Sequence, residues 1–553
     1  MNISEKTKKI PVWVILICLA TLVFGIGDHD LWTPDEPREA AIAREMASGS
    51  DWLIPRLAGV PFVEKPPLYY WLSAGMVLLT GKIIGATAAT RGLSALAAAG
   101  CLALIYFSTR PYLKKKGALS AMLILVTFYG LWRGAHWIII DTVLAFFITA
   151  AVFLFFIGLD RDKKAALLAA YFAAGCGFLT KGPIAWVLIF LPWALMFFLY
   201  RGKIKKQILW HLTGILLLLG PSLVWALIFR LRAGEELWHE WFIINQIGRF
   251  TGEAAHLGHI KGPFYYLWLV PLILLPWTPV VIGWFAGKGW RQLREYPPGR
   301  RNLILLSLAW GLGGFLILSL PETKREVYFY PLLPAFALIA LEGIRSGPKW
   351  TRTILLVISV IFAVPLLIFS FLSLDWVDSR LIWELAVNPI PLVGTLVAVL
   401  ALLKLKRNPV ARTAAIAALF YLAYSLIAHP IFNKVWSYKP ATLELTRAIP
   451  PGYEDRVAIW MSDETSRGLF SFYSDLKLTK LSEGAPQRLK NILRGRDPEF
   501  SLAVIHRYDR FKNETELWPT WKVLAQKQKG RHRIFALIAG EDFNPDLQIR
   551  EEK

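Results

Sequence analysis

Apolar runs of about twenty residues recur along this chain, separated by short polar stretches. A helix of about twenty residues rises roughly 30 Å, the thickness of the hydrocarbon core of a bilayer. Each run therefore predicts a membrane span. Thirteen are read, near 11–27, 86–109, 117–134, 138–158, 164–180, 183–200, 207–229, 263–286, 303–320, 327–344, 353–373, 385–403 and 411–429. The stretch 68–82 predicts a short helix leading into the second span. From 430 onward the pattern changes. Short runs such as "RVAIWM" (456–461), "FSLAVIHRY" (500–508) and "RIFALIAG" (533–540) alternate with polar and helical stretches. That alternation predicts a small α/β domain of about 100 residues. The expected organisation is a membrane domain over 1–429, with a long polar loop at 28–67, followed by a soluble domain over 430–553.

Charge fixes an expected orientation. With the N-terminus in the cytoplasm, the even-numbered spans end in "RPYLKKK" (110–116), "DRDKK" (160–164), "RGKIKK" (201–206), "GKGWRQLREYPPGRR" (287–301), "RSGPKWTR" (345–352) and "KLKRNPVAR" (404–412). All six are basic, which is the positive-inside pattern. An odd number of spans then sends the C-terminus outside. The net charge of +22 on 553 residues is accounted for by these loops, so nucleic-acid binding is excluded as an explanation. Cys18, Cys101 and Cys176 all fall in apolar runs and form neither a disulfide framework nor a metal site. The lysines before the first run resemble a signal peptide. The many following spans favour an uncleaved first helix instead.

Ionisable residues at the edge of a membrane tend to mark function. On the expected outer side lie Asp28, Asp30, Asp35, Glu36, Arg38, Glu64 and Lys65, then His136 and Asp141, then Lys181 of "LTKGP". Arg249, His256, His259 and Lys261 follow in one loop, and Lys324, Arg325, Glu326, Tyr328 and Tyr330 in another. Carboxylates beside cations suit transfer of a sugar from a lipid-linked phosphate. Lys and Arg hold the phosphate and neutralise charge developing on the departing oxygens. A carboxylate orients or deprotonates the acceptor, or holds a metal.

The segments "TPDEPREAAIAREM", "VEKPPLYYWL", "LTKGP", "INQIGRF" and "KREVYFYPLLP" occur in an order that resembles the protein-O-mannosyltransferase-like branch of the GT-C membrane glycosyltransferases. The likeness is closest to the bacterial 4-amino-4-deoxy-L-arabinose lipid A transferases and covers nearly the whole chain. It implies a polytopic α-helical GT-C fold of about thirteen spans with a small C-terminal α/β periplasmic domain, in the bacterial inner membrane. It implies catalytic carboxylates at Asp35 and the adjacent Glu36, at Glu64 and at Asp141. It implies substrate ligands at Lys65, Arg249 and Tyr328, with Lys181, Lys324 and Arg325 as further cations. Asp35 and Glu64 are the candidates for a divalent metal ion, and no cofactor is otherwise required. The implied partners are a polyprenyl (undecaprenyl) phosphate-linked sugar as donor, membrane lipid, and lipid A or another periplasmic acceptor. The implied reaction is a single displacement with inversion.

Plainer readings stand beside these. Asp35 can cap the helix expected at 36–47. Glu64–Lys65 can be a local ion pair, although the following Pro-Pro argues for a positioned turn. Lys181 and Arg249 can be snorkelling residues, and Tyr328 an aromatic-belt tyrosine. His256 and His259 have metal-ligand spacing, but Gly258 interrupts the helix that spacing needs. The rival function is a transporter or flippase of a charged lipid. It would place polar residues at mid-membrane in repeated halves, and neither feature is found.

Overall fold

The computed structural model describes residues 10–248, 260–372, 408–460, 462–474, 476, 478–481, 486–506, 508, 511, 520–529 and 533–544. The backbone divides into two compact units. The larger comprises Met1–Asp28, Val63–Tyr69 and Arg91–His429, and the smaller comprises His29–Phe62, Tyr70–Thr90 and Pro430–Lys553. The polar loop after the first helix thus belongs to the same unit as the C-terminal chain.

The larger unit is helical. It begins with α1 (Val12–Leu22), and the smaller unit contributes α2 (Glu36–Ala47), the two-strand hairpin β1 (Arg56–Leu57) and β2 (Val60–Pro61), and most of α3 (Leu68–Ile84). Then come α4 (Ala86–Val126), α5 (Tyr129–His136), α6 (Ile140–Asp160), α7 (Lys164–Lys181), α8 (Ile184–Leu199), α9 (Arg201–Lys206) and α10 (Ile208–Trp238). After these run α11 (Tyr265–Ile273), α12 (Thr278–Ala286), α13 (Pro298–Ser319), α14 (Leu333–Ser346), α15 (Lys349–Leu372) and α16 (Pro409–Ala423). Among the described residues, six helices are long and apolar enough to cross a bilayer, or seven if α11 and α12 form one bent span. The chain is a multi-pass membrane protein. Its core is continuous and aromatic-rich, with Phe128, Phe153, Phe155, Phe156, Trp277, Trp284 and Trp310 fully buried.

Several elements depart from the hydropathy reading. The expected spans 86–109 and 117–134 are one helical run broken at Lys114 (φ 59°), inside the basic stretch expected to be a loop. That run stops at Val126 because Phe128 is extended and the Tyr129 amide bonds the Leu275 carbonyl instead of the preceding turn. The expected span 263–286 is a pair of helices bent by 117°. Pro271, Pro276 and Pro279 remove three backbone donors across it. The outer loop expected from 230 is helical to 248: α10 continues to Trp238 past a break at Gly234 (φ 80°), and a π-helix follows over His239–Gly248. Trp225, Phe229 and Trp241 pack their rings together there at 4.8–5.9 Å, so aromatic packing carries the helix through a polar sequence. The expected span 385–403 lies outside the described residues.

In the smaller unit, α17 (His429–Trp436), α18 (Lys439–Arg447), α19 (Glu464–Ser474) and α20 (Pro486–Leu493) accompany a sheet of β3 (Val457–Trp460), β4 (Thr479–Lys480), β5 (Leu502–His506), β6 (Trp521–Lys529) and β7 (Arg533–Gly540). The strand order is β4-β3-β5-β7-β6, with β3 parallel to β4 and β5, and β7 antiparallel to β5 and β6. Both faces are covered. Ala458, Trp460, Ala503, Ile505, Ala536 and Ile538 face Leu489 and Ile492, while Val457, Ile459, Leu502, Val504 and Leu537 face Leu445 and Phe470. Side chains alternate with a period of two, and burial on both faces makes β3 and β5 continuous apolar runs rather than alternating ones. Helix α2 lies close on α19: a Cβ on Gly468 would stand 2.6 Å from the Pro37 carbonyl oxygen.

Candidate functional site

In the smaller unit, Pro37 in the first turn starts α2 and puts Asp35 at its N-cap. The Asp35 side chain caps nothing: its Oδ1 accepts from Arg38 Nη2 at 3.1 Å. Arg38 Nη2 and Nε also donate to Glu39 Oε1, at 2.6 and 3.1 Å, and Nη1 donates to Glu464 Oε2. Tyr70 closes the group by donating its hydroxyl to Glu39 Oε2 at 2.7 Å, and the Arg38 guanidinium lies 5.5 Å from the Phe62 ring centroid. Three carboxylates thus surround one guanidinium, and the cluster is net negative. Glu39 is buried, whereas the Asp35 side chain keeps 24% of its surface exposed. Glu36 is buried, and its Oε2 accepts from the Trp32 amide at 2.8 Å. Asp30 holds the loop to α17 by accepting from Asn433 Nδ2 (3.1 Å) and Ser437 Oγ (2.8 Å).

The larger unit carries a second set. Asp141, in the first turn of α6, and Lys181, the last residue of α7, form a doubly bonded ion pair with Nζ–O distances of 2.6 and 2.5 Å. Each sits at the helix end its charge favours. The Lys181 ammonium also lies 4.3 Å from the Tyr328 ring centroid, so Asp141, Lys181 and Tyr328 come together from three separate elements. Arg133 pairs with Glu326 and stacks on Trp137 at 4.0 Å. Glu64 and Lys65 stand 3.7 Å apart, with side chains 19% and 14% exposed, and the Glu64 carbonyl accepts from Gln246 Nε2 at 3.2 Å. Lys324 is buried, with its ammonium donating to the Lys261 and Pro321 carbonyls. Arg325 offers its own carbonyl to the Tyr266 hydroxyl at 2.9 Å. The two ring nitrogens of buried His136 lie 2.9 and 2.8 Å from the Trp132 and Phe24 carbonyl oxygens, which ties the end of α1 to α5. Arg249, His256 and His259 lie outside the described residues.

Tyr70 and Glu464 did not stand out in the sequence. Glu464 is more than 400 residues from Arg38, and no local spacing points from one to the other. Asp35 is bound by a guanidinium and Glu64 faces an ammonium, so a divalent ion at either would displace a cation already in place. These residues do not form a ready metal-ligand set.

Residues 64–225 match the family described as dolichyl-phosphate-mannose-protein mannosyltransferase. The fold is that of ArnT from Cupriavidus metallidurans, solved with undecaprenyl phosphate bound: TM-score 0.74, 95% of this chain and 97% of that one covered, at 21% identity. The chain therefore shares the fold of that protein. The particular relatives are undecaprenyl phosphate-alpha-4-amino-4-deoxy-L-arabinose arabinosyl transferases. That of Shewanella sediminis is 29% identical over 347 residues, which is 61% of this chain and 59% of the relative. That of Aeromonas salmonicida is 30% identical over 361 residues, which is 62% of each. The match thus spans about three-fifths of the length of these curated relatives.

Proposed function

We propose that this protein is a membrane glycosyltransferase that takes a sugar from undecaprenyl phosphate and passes it to an acceptor at the periplasmic face of the bacterial inner membrane. The reading that fits best is transfer of aminoarabinose to a lipid A phosphate. The observation that carries it is the similarity, along some 350 residues, to relatives that bear this one activity. The chain's own residues supply compatible chemistry. The departing group is a phosphate, and its charge rises as the glycosidic bond breaks. In this reading Lys65 and Lys181 meet that charge, and fixed cations lower such a barrier directly. Asp141 holds Lys181 at the end of α7. Asp35, whose carboxylate is more exposed than that of Glu39, serves the acceptor. A lipid A phosphate is already ionised and needs orientation only; a hydroxyl acceptor would use Asp35 as general base. One displacement at the anomeric carbon inverts it, and no covalent nucleophile is required.

The test is turnover by the full-length protein in proteoliposomes given undecaprenyl-phosphate aminoarabinose and lipid A. Wild type is expected to transfer the sugar, and Asp35→Asn and Lys65→Ala to lose transfer while remaining folded. Consumption of a different polyprenyl phosphate sugar would keep the enzyme class and replace the substrate. Absence of turnover with every such donor would overturn the reading in favour of a lipid transporter.

A further inference from the structure

Two adjacent acids open α19, and they act differently. The Asp463 carboxylate accepts from the Ser466 amide at 2.7 Å, and the Ser466 hydroxyl accepts from the Asp463 amide at 3.1 Å. This reciprocal cap fixes the first turn. Glu464, one residue on, is not used for capping and reaches out of the turn to Arg38 Nη1. The same end of α19 grips the segment around Asp35 at two more points. The Thr465 hydroxyl donates to the Pro34 carbonyl at 3.1 Å, and Gly468 lets the helix approach the Pro37 carbonyl. The C-terminal chain thus bears on Pro34, Pro37 and Arg38, on both sides of Asp35.

We propose that Glu464 is a positioning residue for sugar transfer: it holds the Arg38 guanidinium so that Arg38 fixes the direction of the Asp35 carboxylate. The inference rests on the reading above, in which Asp35 serves the acceptor. A guanidinium is a rigid planar fork, so its direction is set by what binds each of its nitrogens. Glu39 takes Nε and Nη2, and Glu464 takes the remaining nitrogen, Nη1. Asp35 shares Nη2 with Glu39, at 3.1 Å against 2.6 Å. A small rotation of the fork therefore alters the longer Asp35 bond first. Loss of Glu464 removes the anion at Nη1 and lets the fork turn. Arg467, three residues further along α19, also attracts Glu464, so Arg38 is not its sole counter-charge. The Glu464 side chain is 38% exposed, and pairs this open to water contribute little to folding. Its role is directional, so activity and stability separate.

The experiment measures transfer by full-length protein in proteoliposomes, using whichever polyprenyl phosphate sugar wild type consumes, and records Tm beside it. Glu464→Ala is expected to lower kcat about tenfold or more, the effect of slightly misdirecting a reacting group. Donor KM should stay within about twofold of wild type, since donor binding is not what is lost, and Tm should not change. Glu464→Gln keeps an oxygen that accepts from Nη1 and should recover much of the loss. In a folded Arg38→Gln protein, adding Glu464→Ala should cost nothing further, because residues that act through one another are not additive. The inference fails if Glu464→Ala turns over like an active wild type, if Tm falls along with kcat, or if the two losses multiply in the double variant. A wild type inactive with every polyprenyl phosphate sugar would overturn the transferase reading itself, and the inference with it.

Discussion

At the scale of single residues, two candidate cations, Lys181 and Arg38, sit in ion pairs with distinct signatures. The Asp141–Lys181 pair is partly sealed from water, with side chains 7% and 15% exposed. Removing one partner of such a pair strands the other charge, at a cost of about 3–5 kcal/mol, whereas replacing both is close to neutral. Lys181→Met is therefore expected to lower thermal stability sharply. Adding Asp141→Asn should restore the melting temperature but not the activity. Recovery of activity in the double variant would show that the pair is only structural. Arg38 differs because it bridges Asp35, Glu39 and Glu464 at once. A lysine carries the charge but not the fork. Arg38→Lys should reduce turnover by about tenfold to a hundredfold, the scale of a small misplacement of a reacting group, with little change in the amount of folded protein.

At the scale of elements, helix ends and turns hold the functional side chains. Helix α7 ends at Gly182, whose φ of 78° lies outside the range ordinary residues favour, and an added Cβ there would stand 2.4 Å from Gln246 Oε1. Gly182→Ala should cost about 1–3 kcal/mol through backbone strain. Because it directly follows Lys181, it should lower activity by more than the lost stability explains, measured at a temperature where both proteins are folded. In the smaller unit the turn before β5 depends on Asp497. Burial alone would raise its carboxyl pKa, but the Phe500 and Glu499 amides and Arg488 outweigh that and hold it below the usual carboxylate range. A carboxyl lowered by folding stabilises the folded state above its ordinary pKa, near 4, and that contribution is lost as pH falls through the lowered value. Asp497→Asn should cost about 1–2 kcal/mol at pH 7 through weakened hydrogen bonds. The gap from wild type should close as pH drops below 4, as thermal unfolding of the full chain would record.

At the scale of the whole molecule, hydropathy located the helices well and their breaks poorly. A twenty-residue apolar window reports length and greasiness, and those properties survive into α6, α13 and α14. It is blind to a backbone bond such as Tyr129 to Leu275, which ends one helix, and to the aromatic packing that carries α10 toward Gly248. The positive-inside reading predicts which side the loops occupy. In a cysteine-free background, Gln487→Cys should react with an impermeant maleimide from the periplasmic side of intact spheroplasts, and Lys205→Cys only after lysis. The reverse pattern would invert the orientation.

The sequence by itself determined that this is a membrane protein, because hydrophobic length and the placement of lysine and arginine are local properties of the chain. It also singled out Asp35, Lys65, Asp141 and Lys181, since charges beside apolar runs are conspicuous wherever they fold. Only the tertiary structure decided what those charges do. Asp35 faces Arg38 rather than capping its helix, Lys181 reaches back 40 residues to Asp141, and Glu464 joins a cluster from the far end of the chain. These are long-range pairings set by packing and desolvation, and no periodicity along the chain encodes them.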